Sequence, residues 1–527
     1  MVSCNHDHAP APLIPQFYAG RTIFITGGTG FMGKVLVERL LATCPDVDRL
    51  ILLVRAKKDV SPEKRLLKLK ESQVFDNIRQ SNPSQLDKMV IVSGDITKPE
   101  LGLSGESIAE LRNVSIVFHS AATLKFDEAL GQAVDQNVRS VVRLLELCDM
   151  LPNMEAFVYV STGYSNAELS VIEEKVYPPP TPLDQLLSLA DSMPEELLSS
   201  ITQKYIYPKP NTYTFTKAMA EVAVQEHAGA AYPMAIFRPT IVISALRTPF
   251  PGWVENMNGP TGVIVGAGKG VLHVFSCRRD ARADMIPVDI ATDSLLAAAW
   301  ETATDKSPEV RVYNCSSYAN PTTWRDFESA LHRHVRTYPL DQVLWYPYGT
   351  IVENEFAQKC LEFVLQTMPL HLAEYCARIL GIKTKLSLIM VSNRLQAMNK
   401  VLQFFSQREW KFVTTNMERL QQRLTPEDAA IYNLDPKTIN WDEMYVNFIK
   451  GTRKYMLKEK DENLPAARKH LNRMCLLHNG VILFTVALLL RLTLRNTFVY
   501  EFVRGIVRVL FSVYSMVSSR VLSVLQK

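Results

Sequence analysis

Residues Arg21 to Leu41, RTIFITGGTGFMGKVLVERLL, constrain this chain more than any other stretch. An apolar run of β type, Thr22-Ile23-Phe24-Ile25-Thr26, leads into Gly27-Gly28-Thr29-Gly30-Phe31-Met32-Gly33. Val35, Leu36, Leu40 and Leu41 then recur on one helical face. Strand, glycine turn and helix in that order are the setting a dinucleotide fingerprint needs. Glycines let the backbone turn sharply and approach a pyrophosphate, and the last, Gly33, lets the helix pack close to the strand. N–H groups at the helix start face the anion. GxGxxG, met by Gly28, Gly30 and Gly33, is weak alone. The narrower TGxxGxxG, with glycines at 27, 30 and 33, makes a ligand-free turn the lesser reading. Thr26 through Gly33 are the expected cofactor cradle.

Apolar runs continue at βα spacing. Arg49 to Val54 reads as a second strand ending in Arg55-Ala56-Lys57-Lys58, with Lys64 and Arg65 beyond. An acid at this strand end would accept from a ribose 2′-OH, whereas basic residues suit a 2′-phosphate. No acid stands there, so Arg55 and Lys58 favour NADP(H) over NAD. Met89 to Ile96 gives a third strand with Asp95 and Ile96 at its tip, and Asn113 to Ala122 a fourth. The small side chains of Ala121 and Ala122 leave room for ribose and phosphates. His119 is read first as a packed strand-end histidine and second as a base. A helix around Gln132 to Met150 carries Asn137, and Ala156 to Thr162 is a fifth strand. Phe237 to Val242 is a sixth, with Pro239, Thr240 and Ile241 near the nicotinamide amide. This alternation predicts an α/β fold, a Rossmann-type doubly wound parallel sheet. Ligands on such sheets bind beyond the strand C-termini.

Tyr213-Thr-Phe-Thr-Lys217 has YxxxK spacing, which on a helix sets both side chains on one face. The ammonium can lower the phenol pKa and hold a ribose, and the phenol can protonate a carbonyl oxygen. Nineteen tyrosines make chance matches expected. Tyr205 and Lys209 form a second copy, but Pro208 and Pro210 break any helix there. Ser161 and Thr162 compete to orient the carbonyl, and Thr162 is preferred.

With 527 residues, two domains plus an appendage are expected. The net charge of +4 is small and gives no reason to expect nucleic acid. From Arg453 onward there are thirteen Lys and Arg against four Asp and Glu, leaving the preceding chain near −5. A basic, apolar tail suits an anionic membrane surface. The eight cysteines are scattered without CxxC or a Cys/His cluster, so reduced thiols in a cytosol-facing protein and no metal are expected. His6 and His8 fall in a polar leader. Val364 to Leu370 and Leu386 to Met390 are apolar but too short or broken to span a bilayer, and read as the lining of an apolar tunnel, a membrane-resting lid or ordinary helical core. Met474 to Leu490 is the best spanning candidate, with basic residues on both sides. Phe498 to Leu525, interrupted by Glu501, Arg504, Arg508 and Arg520, suits a membrane-surface helix.

The blocks TGGTGFMGKVL, LLVRAKK, GDIT, VFHSAAT, YVSTGYSN, YTFTKAMAE, FRPTIV and GPTGVIVGAGKG occur in that order. So do Trp410-Lys411-Phe412, Asn416 and Asn440-Trp441 within Lys383 to Lys458. Together they resemble the alcohol-forming fatty acyl-CoA reductases, a branch of the extended short-chain dehydrogenase/reductases with a C-terminal male-sterility-type domain. The likeness is to animal, insect-like members and runs from about residue 17 to 460. Gly163 departs from the commoner Ala. The resemblance implies reduction of a long-chain acyl-CoA by two NADPH, through an aldehyde, to a primary alcohol. It makes Tyr213 the acid, Lys217 its tuner and Thr162 or Ser161 the oxygen holder, and puts Asp95 and Ile96 beside the adenine. It implies four segments: a leader at 1–16, an NADP-binding reductase domain at 17–320, a mainly helical domain at 321–460 and a membrane tail at 461–527. The membrane would be endoplasmic reticulum or peroxisome, and oligomerisation stays open. A hydroxysteroid-type reductase would not need the Lys383 to Lys458 region. A redox-sensing NADP binder would not need Tyr213, Lys217 and the hydroxyl pair.

Overall fold

The near-continuous apolar runs become strands buried on both faces, as parallel sheets covered by helices require. The computed structural model describes residues 12–55, 60–382, 387–495, 501, 504 and 505. Seven strands form the sheet: Thr22–Thr26, Arg49–Val54, Met89–Ser93, Val114–His119, Ala156–Val160, Met234–Pro239 and Arg311–Cys315. Numbered along the chain, they lie in the order 3-2-1-4-5-6-7, all parallel. The doubly wound Rossmann-type sheet is thus present, with a seventh strand that the sequence patterns left unmarked.

Side chains alternate between the two faces. Ile23, Ile25, Leu50 and Leu52 enter one core. Phe24, Ile51, Leu53 and Phe157 enter the other. The Phe31–Thr43 and Val288–Asp305 helices pack together on the first face. The Thr212–Glu226 helix packs on the second, beside the Ser140–Asp149 helix and the π-helical turn Asp135–Arg139. Strand order reverses between strands 1 and 4, and there a crevice opens at the strand C-termini.

The expected sixth strand is cut short. The chain leaves the sheet at Pro239, and Ile241–Ile243 pairs with Met285–Pro287 instead. Thr240 N still donates to Cys315 O at 3.0 Å as the last rung toward strand 7, whereas Ile241 N donates to Asp284 O at 3.1 Å, where the segment has left the ladder.

The C-terminal region is mainly helical and shares the first core, to which it contributes Met417, Leu420, Tyr432 and Phe448. Val171–Ile172, just after the fifth strand, pairs with Lys411–Phe412 from that region. Backbones also meet directly. A methyl on Gly252 (φ 77°) would stand 2.0 Å from Asn447 O, and one on Gly451 would stand 1.7 Å from Gly252 O.

Met474 to Leu490 lies inside one long helix, Leu464–Arg495. Its apolar stretch is long enough to cross a membrane and none of it is buried. This is the candidate anchor. The expected surface helix at Phe498 to Leu525 lies outside the described residues except for Glu501, Arg504 and Gly505.

Candidate active site

The glycine turn sits at the reversal point. Gly27 adopts φ 76°, where a side chain is strained, and a methyl there would stand 2.6 Å from Ala121 N. A methyl on Gly33 would stand 2.2 Å from Gly27 O. Gly30 is the N-cap of the Phe31–Thr43 helix and offers no side chain to the first N–H groups. Thr26 to Gly33 therefore form a backbone cradle at a helix N-terminus, which fits a pyrophosphate.

Thr26 also anchors the facing loop. Its Oγ1 accepts Ala121 N at 3.3 Å and lies 2.6 Å from His119 Nδ1. Ser140 Oγ, 3.4 Å from His119 Nε2, donates to Gln136 O at 2.7 Å. The bonds close only if Thr26 donates to Nδ1 and Nε2–H donates to Ser140, which fixes one neutral tautomer. Burial, with the Lys217 charge nearby, pushes His119 down to about 3. The packed reading of His119 is the one its contacts match. Ala121 and Ala122 follow it at the crevice wall.

Asp95 Oδ1 accepts Thr97 N at 3.0 Å and Thr97 Oγ1 at 2.9 Å, shaping the turn after strand 3. Ile96 packs against the second core. Arg55 ends strand 2 in the open, and its carbonyl accepts Arg65 Nη1. Arg65 is lowered chiefly by desolvation and also by the Arg55 charge, and its guanidinium reaches back to the Arg55 backbone. Lys58 lies outside the described residues.

Asn211 caps the Thr212–Glu226 helix by accepting Thr214 N, which places Tyr213 and Lys217 one turn apart. The Tyr213 phenol is buried. Burial raises it to about 12, and a hydrogen bond with Thr162 pulls it partly back. Lys217 Nζ donates to Val160 O at 2.8 Å and lies 4.8 Å over the Tyr159 ring. Burial pushes Lys217 down to about 7, while the Glu221 carboxylate opposes that fall. Lys217 Nζ is turned to Val160 O, and at the phenol it is the Thr162 bond that opposes burial.

The two candidate hydroxyls part company. Ser161 Oγ donates to Glu221 Oε1 at 2.5 Å. Arg238 clasps the same carboxylate through Nε at 2.9 Å and Nη2 at 2.6 Å. Thr162 faces Tyr213. Gly163 N donates to Pro239 O at 2.8 Å, bringing the Pro239-Thr240-Ile241 bend beside Thr162. A methyl on Gly163 would press at 3.1 Å on both Thr240 Cγ2 and the Phe412 ring, which accounts for the bare glycine. The decoy pair is dispersed: Tyr205 bonds Thr181 at 3.2 Å, and Lys209 Nζ bonds Ser165 O, Asn166 Oδ1 and Glu168 Oε1 at 2.6–2.8 Å.

Three contributors escaped sequence reasoning. Glu221 and Arg238 tie the catalytic helix to strand 6, and their signal is charge inside an apolar helix and an apolar strand. Tyr159, stacked on His119 at 5.7 Å, supplies the ring under Lys217. Around the phenol, Phe126 packs edge-on to Tyr213 at 5.3 Å and touches Phe405 at 5.5 Å. Tyr164 packs on Phe405, Trp410 and Phe412. The C-terminal region thus adds aromatic rings against Tyr164 and against Phe126, which itself covers Tyr213.

A helix-start anion cradle, a buried Tyr/Thr pair at a strand C-terminus and a Lys one turn on define a nicotinamide-dependent reductase of the short-chain type. Comparison with known proteins narrows the class. Two sequence profiles described as Male sterility protein match, an NAD-binding one over residues 25–295 and a second over 365–459. Fatty acyl-CoA reductase 1 of Rattus norvegicus is 37% identical over 91% of this chain and 93% of its own length. Fatty acyl-CoA reductase 2 of Bos taurus is 35% identical over 91% and 92%. The chain belongs to the fatty acyl-CoA reductase family. A reductase domain of a Mycobacterium tuberculosis nonribosomal peptide synthetase shares the fold, with TM-score 0.55 and 19% identity over 84% of this chain and 92% of that one. The terminal reductase domain of the myxalamid pathway gives 0.54 and 18% over 84% and 93%.

Proposed function

We propose that the protein reduces a long-chain fatty acyl-CoA to the primary alcohol, releasing CoA and consuming two NADPH. The observation that carries this reading is the Thr162–Tyr213 hydroxyl pair beside the cradle, with Phe126 over Tyr213 and aromatic rings of the C-terminal region against Phe126 and Tyr164. NADPH, when bound, supplies hydride. The cradle Thr26–Gly33 would hold its pyrophosphate, Asp95 and Ile96 its adenine side, and Pro239, Thr240 and Ile241 its nicotinamide amide.

Thr162 and Tyr213 donate hydrogen bonds to the thioester oxygen, where negative charge develops. A phenol near 12 stays protonated at neutral pH, so Tyr213 can pass its proton to that oxygen as the carbon is reduced. The hemithioacetal then expels CoA thiolate, which takes up a proton. Once Tyr213 has regained a proton from solvent and a second NADPH has replaced the spent nucleotide, the aldehyde presents the same oxygen to the same two hydroxyls for a second reduction. Lys217 holds the nicotinamide ribose, and its bond to Val160 O fixes its reach. Arg55 and Arg65 support a 2′-phosphate, hence NADPH over NADH.

The long apolar helix Leu464–Arg495 supports a membrane anchor, and seven described free cysteines support a catalytic body in the reducing cytosol. Endoplasmic reticulum and peroxisome are the membranes proposed. Incubating purified protein with NADPH and acyl-CoAs of several lengths tests the reading. Fatty alcohol is expected, and aldehyde alone would reduce it to a single-step enzyme.

A further inference from the structure

Residues 355–379 form a helical run, Glu355–Glu362, a π-helical turn Phe363–Thr367, and Met368–Ile379. Only four of its residues are buried, and all four are polar: Gln358, Glu362, Gln366 and Glu374. They recur every four or eight residues, one stripe of a helix. The stripe is bonded inward. Gln366 Oε1 accepts His273 N at 3.1 Å, and Glu374 Oε2 accepts Leu388 N at 2.6 Å. The apolar side chains point the other way, with Phe356 77%, Phe363 60%, Leu372 60%, Ile379 84% and Leu380 71% exposed. A helix in water does the reverse. An exposed apolar face of this size is the mark of an interaction or membrane surface.

The inner stripe connects to the tail. His273, which Gln366 binds, stacks on Tyr348 at 4.1 Å. Tyr348 stacks on His478 at 4.5 Å, and Trp345 Nε1 donates to His478 Nδ1 at 3.1 Å. His478 stands where the exposed apolar stretch of the Leu464–Arg495 helix begins. Exposed Arg468, Lys469 and Arg473 lie just before it, at the level where lipid phosphates would meet them.

We propose that residues 355–380 lie on the same bilayer that the tail enters, with their apolar face sunk among the lipid chains. An interfacial helix of this kind reaches about 5–10 Å into the headgroup and acyl boundary. The proposal rests on the tail being the anchor. It gives the active site a floor on the membrane: the Leu388–Ser406 helix, tied to the patch through Glu374, ends at Phe405 beside Phe126 and Tyr213. Its nineteen residues span about 28 Å.

The test uses the full chain in phosphatidylcholine–phosphatidylserine vesicles, with Cys4, Cys360, Cys376 and Cys475 replaced by Ser. Single labelling sites are Leu372→Cys and Ile379→Cys on the patch, Leu483→Cys on the tail and Met150→Cys as a control. Each carries a fluorophore exposed to spin-labelled phospholipid or to iodide. The patch sites should lose most of their emission to the spin-labelled lipid and resist iodide, as Leu483→Cys does, while Met150→Cys does the opposite. If the patch behaves like Met150→Cys while Leu483→Cys is quenched by lipid, the anchor stands and the proposal falls. If Leu483→Cys also sees only iodide, the anchor reading falls and takes the proposal with it. Protection from both quenchers at the patch would mean that a second copy covers it, which also overturns the proposal.

Discussion

Ser161 donates to Glu221 at 2.5 Å, and that bond sets two adjacent hydroxyls apart. A hydroxyl has one proton. Ser161 gives its proton to a carboxylate already clasped by Arg238, whereas Thr162 bonds with Tyr213, and the proposed mechanism therefore assigns the substrate oxygen to Thr162. Thr162→Val should lower kcat by ~10²–10³, the usual loss of one donor to a developing oxyanion. Ser161→Ala should instead cost about 1–3 kcal/mol of stability with a smaller effect on kcat. Steady-state kinetics and denaturant unfolding of both variants check this. Equal losses of kcat would return Ser161 to the mechanism.

Tyr213→Phe keeps the ring packed on Phe126 and deletes only the phenolic hydroxyl, the proposed proton donor. Alcohol formation should fall by ~10²–10⁴, the range of general acid catalysis. NADPH affinity, followed by its fluorescence, should hold. Unchanged turnover would remove Tyr213 from the reaction.

Arg55 ends the second strand, and the Arg65 guanidinium reaches back to its backbone. Arg55→Ala should weaken NADPH about tenfold, near 1.4 kcal/mol, and leave NADH unmoved. Calorimetric titration with both nucleotides separates the two effects. A parallel loss for NADH would mean that the loop itself has shifted.

Gly33→Ala adds a methyl 2.2 Å from Gly27 O, and backbone must move to admit it. Cofactor binding should weaken at least about tenfold, since turn and helix separate together. Gly105→Ala, where a methyl meets nothing within 4 Å, is the control and should bind normally.

His119 gives stability a pH signature. Its folded value is about 3 against an ordinary 6.5, so between those values the unfolded chain binds a proton that the folded chain refuses. Its contribution is intact above pH 6.5 and is lost as pH falls toward 3. His119→Asn should flatten the acid side of the stability profile by up to about 1.4 kcal/mol per pH unit. Denaturant midpoints measured down that range would show the difference in slope.

Much of this was legible in the chain. Gly27, Gly30 and Gly33 between a strand and a helix announce the cradle, because only glycine tolerates those approaches. Tyr213 and Lys217 stood out once prolines disqualified Tyr205 and Lys209. The hidden parts depend on distant packing. Glu221 and Arg238 meet across seventeen residues and a strand, and Ser161 joins them from further still. The polar stripe at Gln358, Glu362 and Gln366 was obscured by the apolar residues around it, because no local pattern tells which face looks inward. Arg311–Cys315 carries an Arg and an Asn, and only pairing with Met234–Pro239 makes it a strand.

Gly252 and Gly451 touch backbone to backbone, one from each half of the chain. Neither half can be exchanged for that of a relative unless the transplanted surface is equally bare at the matching spot. Chimeras that swap one half will therefore succeed or fail on whether two α-carbons stay bare where they meet.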